Sequence, residues 1–339
     1  MRFTDHLFFS KNGRNNAAHC VLCLLLCGSI PRLVAAQEAA APERPDAAVH
    51  AQMHNVKYRF SDKVSVQINS LSGAFVPIGS SEFPIFDDKN SFKIRIDTAE
   101  IAISPQDLAN LLNSYVFARP GSPLSGISVA TTPDGHLKVK GRLHDKGDIP
   151  FETQGVLSPT PDGRLRLHSD KVKALHVPVK GLMDAFGIDI ASLIKSGKVP
   201  GVESEENDLL LDLEKILPPP HIEGKVTAVR VEPNTIIQTF GGTDAKPAPK
   251  MASGNYMALQ GNRLRFGKLT MDDSDIILSD MNPADPLDFF LDHYKEQLAA
   301  GYTKISTSFQ IHAYMKDYEK LSQPKTSAKS KDNKDNKEN

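Results

Sequence analysis

Three groups of side chains in this sequence have types and spacing that could do chemistry. His144-Asp145 with Asp148, and His168 with Asp170, set imidazoles beside carboxylates. Metal ligation would need the two sets to converge at ligand distances. Each falls at the end of an expected strand, so a solvated polar cluster is the simpler expectation. The second group is acidic: Asp272, Asp273, Asp275, Asp280, Asp285 and Asp288. Carboxylates are hard oxygen ligands that suit calcium, but the stretch lacks the EF-hand spacing and its glycine. We read these residues as turns. The third is His293, which shares a helical stripe with Phe289, Phe290 and Gln297 and reads as a buried, hydrogen-bonded structural histidine. No Gly-x-Ser-x-Gly, His-Glu-x-x-His, P-loop or dinucleotide fingerprint occurs. Cys20, Cys23 and Cys27 are the whole cysteine complement and lie in one N-terminal apolar run, so the chain beyond has no thiol to offer. The expectation is no catalytic residue, no metal site and no cofactor.

Function must then come from a groove or a surface, and residues 104–176 are the stretch that builds one. Ser104 is a good N-cap and Pro105 suits the first helical position. Leu108, Leu111, Leu112, Tyr115 and Val116 follow helical spacing and form one apolar stripe, which Pro120-Gly121 ends. Two closely similar hairpins follow. Leu137, Val139 and Leu143 alternate with His136, Lys138, Lys140 and Arg142, and Leu165 and Leu167 alternate with Arg164, Arg166 and His168. A period of two with charge on the off-beat means a sheet with one dry face. Pro133-Asp134-Gly135 and Pro161-Asp162-Gly163 are the turns: proline presets φ, aspartate bonds its own backbone, glycine accepts positive φ. Packing the helix stripe on the dry face hides both from water.

The remaining pattern places strands at 64–68, 93–103, 171–177, 225–231, 235–240, 256–259, 264–266, 275–279 and 305–314. Residues 72–90 read as a loop whose Phe83, Ile85 and Phe86 cover something apolar. A broken helix is expected over 179–194, with Leu182, Met183 and Phe186 before a break at Gly187. Another is expected from Asn207 or Asp208, with Leu209, Leu210, Leu213, Ile216 and Leu217 inward, and a third over Leu287–Ala300. The fold class is α+β: a curved, largely antiparallel sheet wrapped around amphipathic helices.

At the N-terminus, Arg2, Lys11 and Arg14 precede the apolar run Ala17–Ile30, and Val34-Ala35-Ala36 offers small residues before Gln37. That is the layout of a secretion signal over 1–36, and the run is short of the about 20 residues a membrane span needs. A retained anchor is the competing reading. Residues 37–55 read as a flexible linker and 56–315 as one α+β domain, or two lobes split near 241–254. Residues 316–339 are Lys/Asp/Asn/Ser-rich and read as a disordered tail. With 339 residues and a formal net charge of -1, the chain lacks the basic excess of a general nucleic-acid binder.

Residues 98–242 resemble the LmeA-like family of exported phospholipid-binding proteins, related in shape to tubular lipid-binding (TULIP-like) domains. The resemblance rests on Thr98-Ala99-Glu100-Ile101-Ala102-Ile103 running into Leu108–Tyr115 and on strands around Gly141, Gly155 and Gly163. The strand at Lys171–Leu175 and Leu217-Pro218 before Val226–Val231 complete it. It implies a curved sheet on helices, a lipid groove and a periplasm-like location. Residues 254–314 fall outside it, as a second lobe or as further strands of one sheet.

These readings converge on an exported, non-enzymatic protein of the periplasm or cell envelope that holds a lipid acyl chain or engages a membrane face. The expected groove residues are Leu108, Leu111, Leu112, Tyr115, Leu182, Met183 and Phe186. Two alternatives stand beside it. One is an envelope scaffold with a packed core and a docked protein partner. The other is a hydrolase with an unfamiliar site, which needs convergent titratable groups in a polar pocket.

Overall fold

The computed structural model describes residues 45–144, 148–169, 173–174, 199–242, 250 and 252–321. The expected leader, the helix expected over 179–194 with Leu182, Met183 and Phe186, and the chain beyond 321 lie outside the described residues.

The first strand, β1 (Val49–Ser61), starts well ahead of the expected Val56, after a 3-10 turn at Pro45–Ala47. Val49, Ala51 and Met53 alternate with His50, Gln52 and His54 there, so the expected linker carries a strand pattern that its Ala/Pro-rich composition conceals. β2 (Val64–Pro77) runs on into the stretch expected as a loop, and β3 (Phe92–Ile103) leads to helix α1 (Pro105–Leu111). A wider, π-type turn (Leu112–Val116) ends that helix. Then come β4 (Leu124–Thr131), β5 (Leu137–Leu143), β6 (Ile149–Pro159), β7 (Leu165–Ser169), β8 (Lys173–Ala174), β9 (Val202–Glu205) and β10 (Asp208–Leu211). They are followed by the single-turn helix α2 (Leu213–Ile216), β11 (Ile222–Glu223), β12 (Val226–Glu232), β13 (Thr235–Phe240) and β14 (Tyr256–Gln260). The chain closes with β15 (Leu264–Phe266), β16 (Leu269–Met271), β17 (Asp275–Asp280), β18 (Leu287–Phe290), α3 (Tyr294–Ala299), β19 (Tyr302–Ile305), β20 (Ile311–Met315) and α4 (Tyr318–Leu321).

Three expected elements are corrected. The helix expected from Asn207 or Asp208 is mostly strand. Asp208–Leu211 pairs with β7 on one side and β9 on the other, and only Leu213–Ile216 is helical. Leu209, Leu210 and Leu211 are all buried, so both faces of this strand are dry and its apolar run imitates a helix. Leu287–Phe290 is likewise a strand, buried at every residue and parallel to β1, with α3 starting only at Tyr294. The strand expected over 305–314 is a hairpin, β19 with β20.

The fold is thus mostly sheet with few, short helices, and its sheets are open. The larger sheet runs β12-β13-β3-β2-β1-β14-β17-β20-β19, so residues 254–315 add strands to the sheet that β1–β3 begin. The smaller runs β4-β5-β6-β7-β10-β9. Asn55, with φ +52°, divides one edge of β1 between two partners. His50–His54 pair antiparallel with β14, and Val56–Arg59 pair parallel with β18. Phe86, from the expected loop, is fully buried at the heart of the core. Its ring meets Tyr294 at 5.0 Å edge-on and Phe289 at 5.9 Å, beside the stacked pair Phe75–Phe92 at 4.7 Å. No helix among the described residues is long and apolar enough to cross a membrane.

Candidate functional site

Helix α1 is held across the larger sheet by side chains at both ends. Ser104 caps it, its Oγ accepting from Asp107 N–H at 3.0 Å, and Asp107 in turn accepts the Ser65 N–H of β2 at 2.9 Å. Asn110 donates to Lys63 O at 2.7 Å. One turn on, Asn113 donates to Ile127 O at 2.7 Å and accepts Ile127 N–H at 2.9 Å, joining the helix end to β4. These bonds fix the helix rotation, and with it the direction of the apolar stripe.

Under that stripe lies an apolar slot with a cavity volume of about 60 Å³. Leu108 and Leu111 of α1 form one wall; β1, β2, β3 and β13 supply another, including Met53, Ile68 and Ile101; Leu165, Leu211, Leu213 and Ile216 close the side toward the smaller sheet. Gln238 is the one lining residue that is not aliphatic or aromatic. Leu112 is buried in the core and Tyr115 half-buried against it, and neither lines the slot; Leu112 keeps the helical bond from its N–H to Leu108 O, and the π-type turn begins there. Leu182, Met183 and Phe186 lie outside the described residues.

Beside the slot is a larger polar cleft of about 660 Å³, and Leu213 borders both. Arg95, Arg164 and Lys225 line it together with Asp97, Asp162, Asp212, Glu214 and Glu223. The Thr160 hydroxyl, then the Arg164 guanidinium, hold the Asp162 carboxyl below the usual range. Glu203 and Asp162 hold Arg164 charged. The cleft is a product of the Pro161-Asp162-Gly163 turn: Gly163 O accepts Val226 N–H at 3.0 Å, which seats that turn against β12. Neither this cleft nor its contact with the slot was legible in the sequence. Its charged residues come from four separate stretches, and the only signal was the Pro-Asp-Gly turn itself.

The residues singled out for chemistry go elsewhere. His144 pairs with Asp148 at 3.2 Å between β5 and β6, and His168 of β7 with Asp208 of β10 at 2.5 Å; Asp145 and Asp170 lie outside the described residues. His293 is 43% exposed, which corrects its expected burial. Gln297 takes that place: it is fully buried, accepts Phe290 N–H at 2.9 Å and donates to the backbone oxygens of Asp288 and Lys316. In the acidic stretch, Asp272 pairs with Arg263, Asp275 accepts from Gln260 and Gln310, and Asp288 pairs with Arg59. Burial, reinforced by the Asp317 carboxyl, pushes Asp280 up to about 8.

Comparison with family models, with curated proteins and with solved structures finds no match.

Proposed function

We propose that this chain is an exported, non-enzymatic lipid-binding protein that takes an acyl chain into the slot beneath α1 and a headgroup into the adjoining cleft. One observation carries the reading: an apolar slot and a charged cleft meet at Leu213. An amphiphile needs that pairing. An apolar cavity above the roughly 10–15 Å³ that one water requires stays dry and accepts apolar guests. Each methylene drawn out of water gains roughly 0.8 kcal/mol. The cleft carries both signs of charge, which suits a headgroup carrying both. The slot is slender, so a long chain enters by parting α1 from the sheet. The resemblance to the LmeA-like family agrees with this proposal and rests on spacing alone.

The test is mass spectrometry of organic extracts from gently purified protein, followed by uptake of a fluorescent fatty acid and of labelled phospholipids. Co-purified lipid and saturable uptake are expected. Absence of both overturns the proposal.

A second reading, an envelope interaction protein, is favoured by the far edge of the larger sheet. There Ile305 and Phe309 are 68% and 84% exposed on the β19–β20 hairpin. This reading expects Phe309→Ser to abolish capture of a protein partner while lipid uptake is absent throughout.

A further inference from the structure

Three carboxylates from two distant stretches meet at the end of β17. Asp280 closes that strand, Asp285 lies in the loop before β18, and Asp317 stands between β20 and α4. One oxygen of each lies within 4.8 Å of the others. Asp280 and Asp317 are each only 6% exposed. Their hydrogen bonds are accounted for on one side only. Asn282 N–H donates to Asp280 Oδ1 at 2.5 Å. Lys320 reaches Asp285 Oδ2 at 3.0 Å and also pairs with Asp317 Oδ2. Asp280 Oδ2, Asp285 Oδ1 and Asp317 Oδ1 are shielded from solvent and receive no N–H donor among the described residues; the one link inside the group is a hydrogen bond between the Asp280 and Asp317 carboxyls.

Bare buried carboxylate oxygens are expensive, because each has given up its water without gaining an N–H donor. Charge adds to the imbalance. Three carboxyl groups share the single ammonium of Lys320 in this corner. A divalent cation removes both costs at once.

We propose that Asp280, Asp285 and Asp317 form a binding site for a hard divalent cation, with calcium the preferred ion. Three all-oxygen, anionic ligands are the chemistry such an ion selects. Oxygens spread over up to 4.8 Å fit around one calcium at its usual bond length of about 2.3–2.6 Å, with water completing the shell. Magnesium, at about 2.0–2.1 Å and near-ideal octahedral geometry, requires a tighter cage. Asp317 comes from outside the acidic stretch that the sequence displays, which is why spacing within that stretch did not reveal the site.

The site has a structural consequence. α4 is already tied to the sheet by Glu319, which pairs with Lys57 at 2.8 Å and with Arg59, and whose N–H donates to Asp288 Oδ2 at 3.3 Å. A cation shared by Asp280, Asp285 and Asp317 fastens the other side of the same helix entry to β17 and the loop before β18.

The experiment is calorimetric titration of the chelator-treated full chain with calcium chloride and, separately, magnesium chloride, with melting curves alongside. One calcium per chain is expected, with affinity at least tenfold above magnesium. At tenfold the dissociation constant, calcium should raise Tm by roughly 2–4 °C. The double variant Asp280→Asn/Asp317→Asn keeps the side-chain shapes and replaces two buried carboxyls with neutral amides, so it should fold and melt in chelator no lower than the parent. It should also lose calcium binding at least tenfold. No heat and no Tm shift with either ion, equal affinity for magnesium, or undiminished calcium binding by the double variant would each overturn the proposal.

Discussion

Arg59 and Asp288 meet diagonally across the parallel pairing of β1 and β18, Nε to Oδ1 at 2.5 Å and Nη2 to Oδ2 at 3.1 Å. Both side chains are 8% exposed, so this two-pronged pair is desolvated, and Glu319 completes it from the solvent side. Removing one partner strands the other's charge. Asp288→Ala is expected to lose about 3–5 kcal/mol of stability, read from urea unfolding. Replacing both residues, as Arg59→Met/Asp288→Leu, should recover most of it. A single variant within about 1 kcal/mol of the parent would remove the pair as the anchor of β18, since that is the scale of a surface pair.

The twin turns give a matched comparison. Thr132 and Thr160 each accept, through Oγ1, the N–H four residues on, at 3.1 and 2.9 Å. Gly135 and Gly163 both have positive φ, +78° and +91°. A Cβ at Gly135 meets only Val231 O at 3.7 Å, whereas at Gly163 it falls 2.7 Å from Lys225 Cβ and 2.8 Å from its Cα. Gly135→Ala therefore carries the left-handed backbone cost alone, roughly 1–2 kcal/mol. Gly163→Ala adds overpacking against Lys225, just before β12, worth roughly 1–3 kcal/mol more. Equal losses in parallel denaturant melts would show that the Gly163 turn is free to move off β12.

His312 sets a pH dependence. Its ring nitrogens face Ser279 Oγ at 2.9 Å and Tyr314 Oη at 3.3 Å, and Lys304 is its cross-strand partner. Burial, then the Lys304 charge, depress its pKa below the ordinary histidine value. As pH falls through about 6.5, the unfolded chain takes up a proton that the folded chain refuses. The stabilising contribution of His312 is complete above that value and declines below it, down to the depressed folded pKa. Tm measured between pH 7.5 and 5 should fall less steeply in His312→Gln than in the parent. An unchanged slope would assign the dependence to other groups.

The slot is tested by filling and by emptying it. Leu108→Trp places an indole between α1 and the sheet and is expected to reduce fatty-acid uptake at least tenfold, with the fold retained by circular dichroism. Leu111→Ala removes a buried wall and should cost about 2–5 kcal/mol of stability while admitting a larger guest. Full uptake by the Leu108 variant would move the lipid site away from α1.

How much was legible beforehand depended on pattern length. Strands with one wet face announced themselves: Leu137, Leu143, Leu165 and Leu167 are buried while Arg142, Arg166 and His168 are exposed, as alternation required. The cap at Ser104 and the twin Pro-Asp-Gly turns are local chemistry and were equally plain. Strands dry on both faces misled, because Leu209-Leu210-Leu211 and Leu287–Phe290 lack the alternation that separates strand from helix. Of the expected groove residues, Leu108 and Leu111 line the slot. Leu112 and Tyr115 pack into the core elsewhere, a placement that helical spacing alone does not specify.

The sequence by itself determined the amphipathic strands, the turn chemistry and the cap that starts α1, since these depend on neighbours within a few residues. Only the tertiary structure decided which strand lies beside which, that Leu213 joins a dry slot to a charged cleft, and that Asp317 meets Asp280 and Asp285. Those are meetings between residues far apart in the chain. They follow from burying many apolar faces at once, and no local stretch records that outcome.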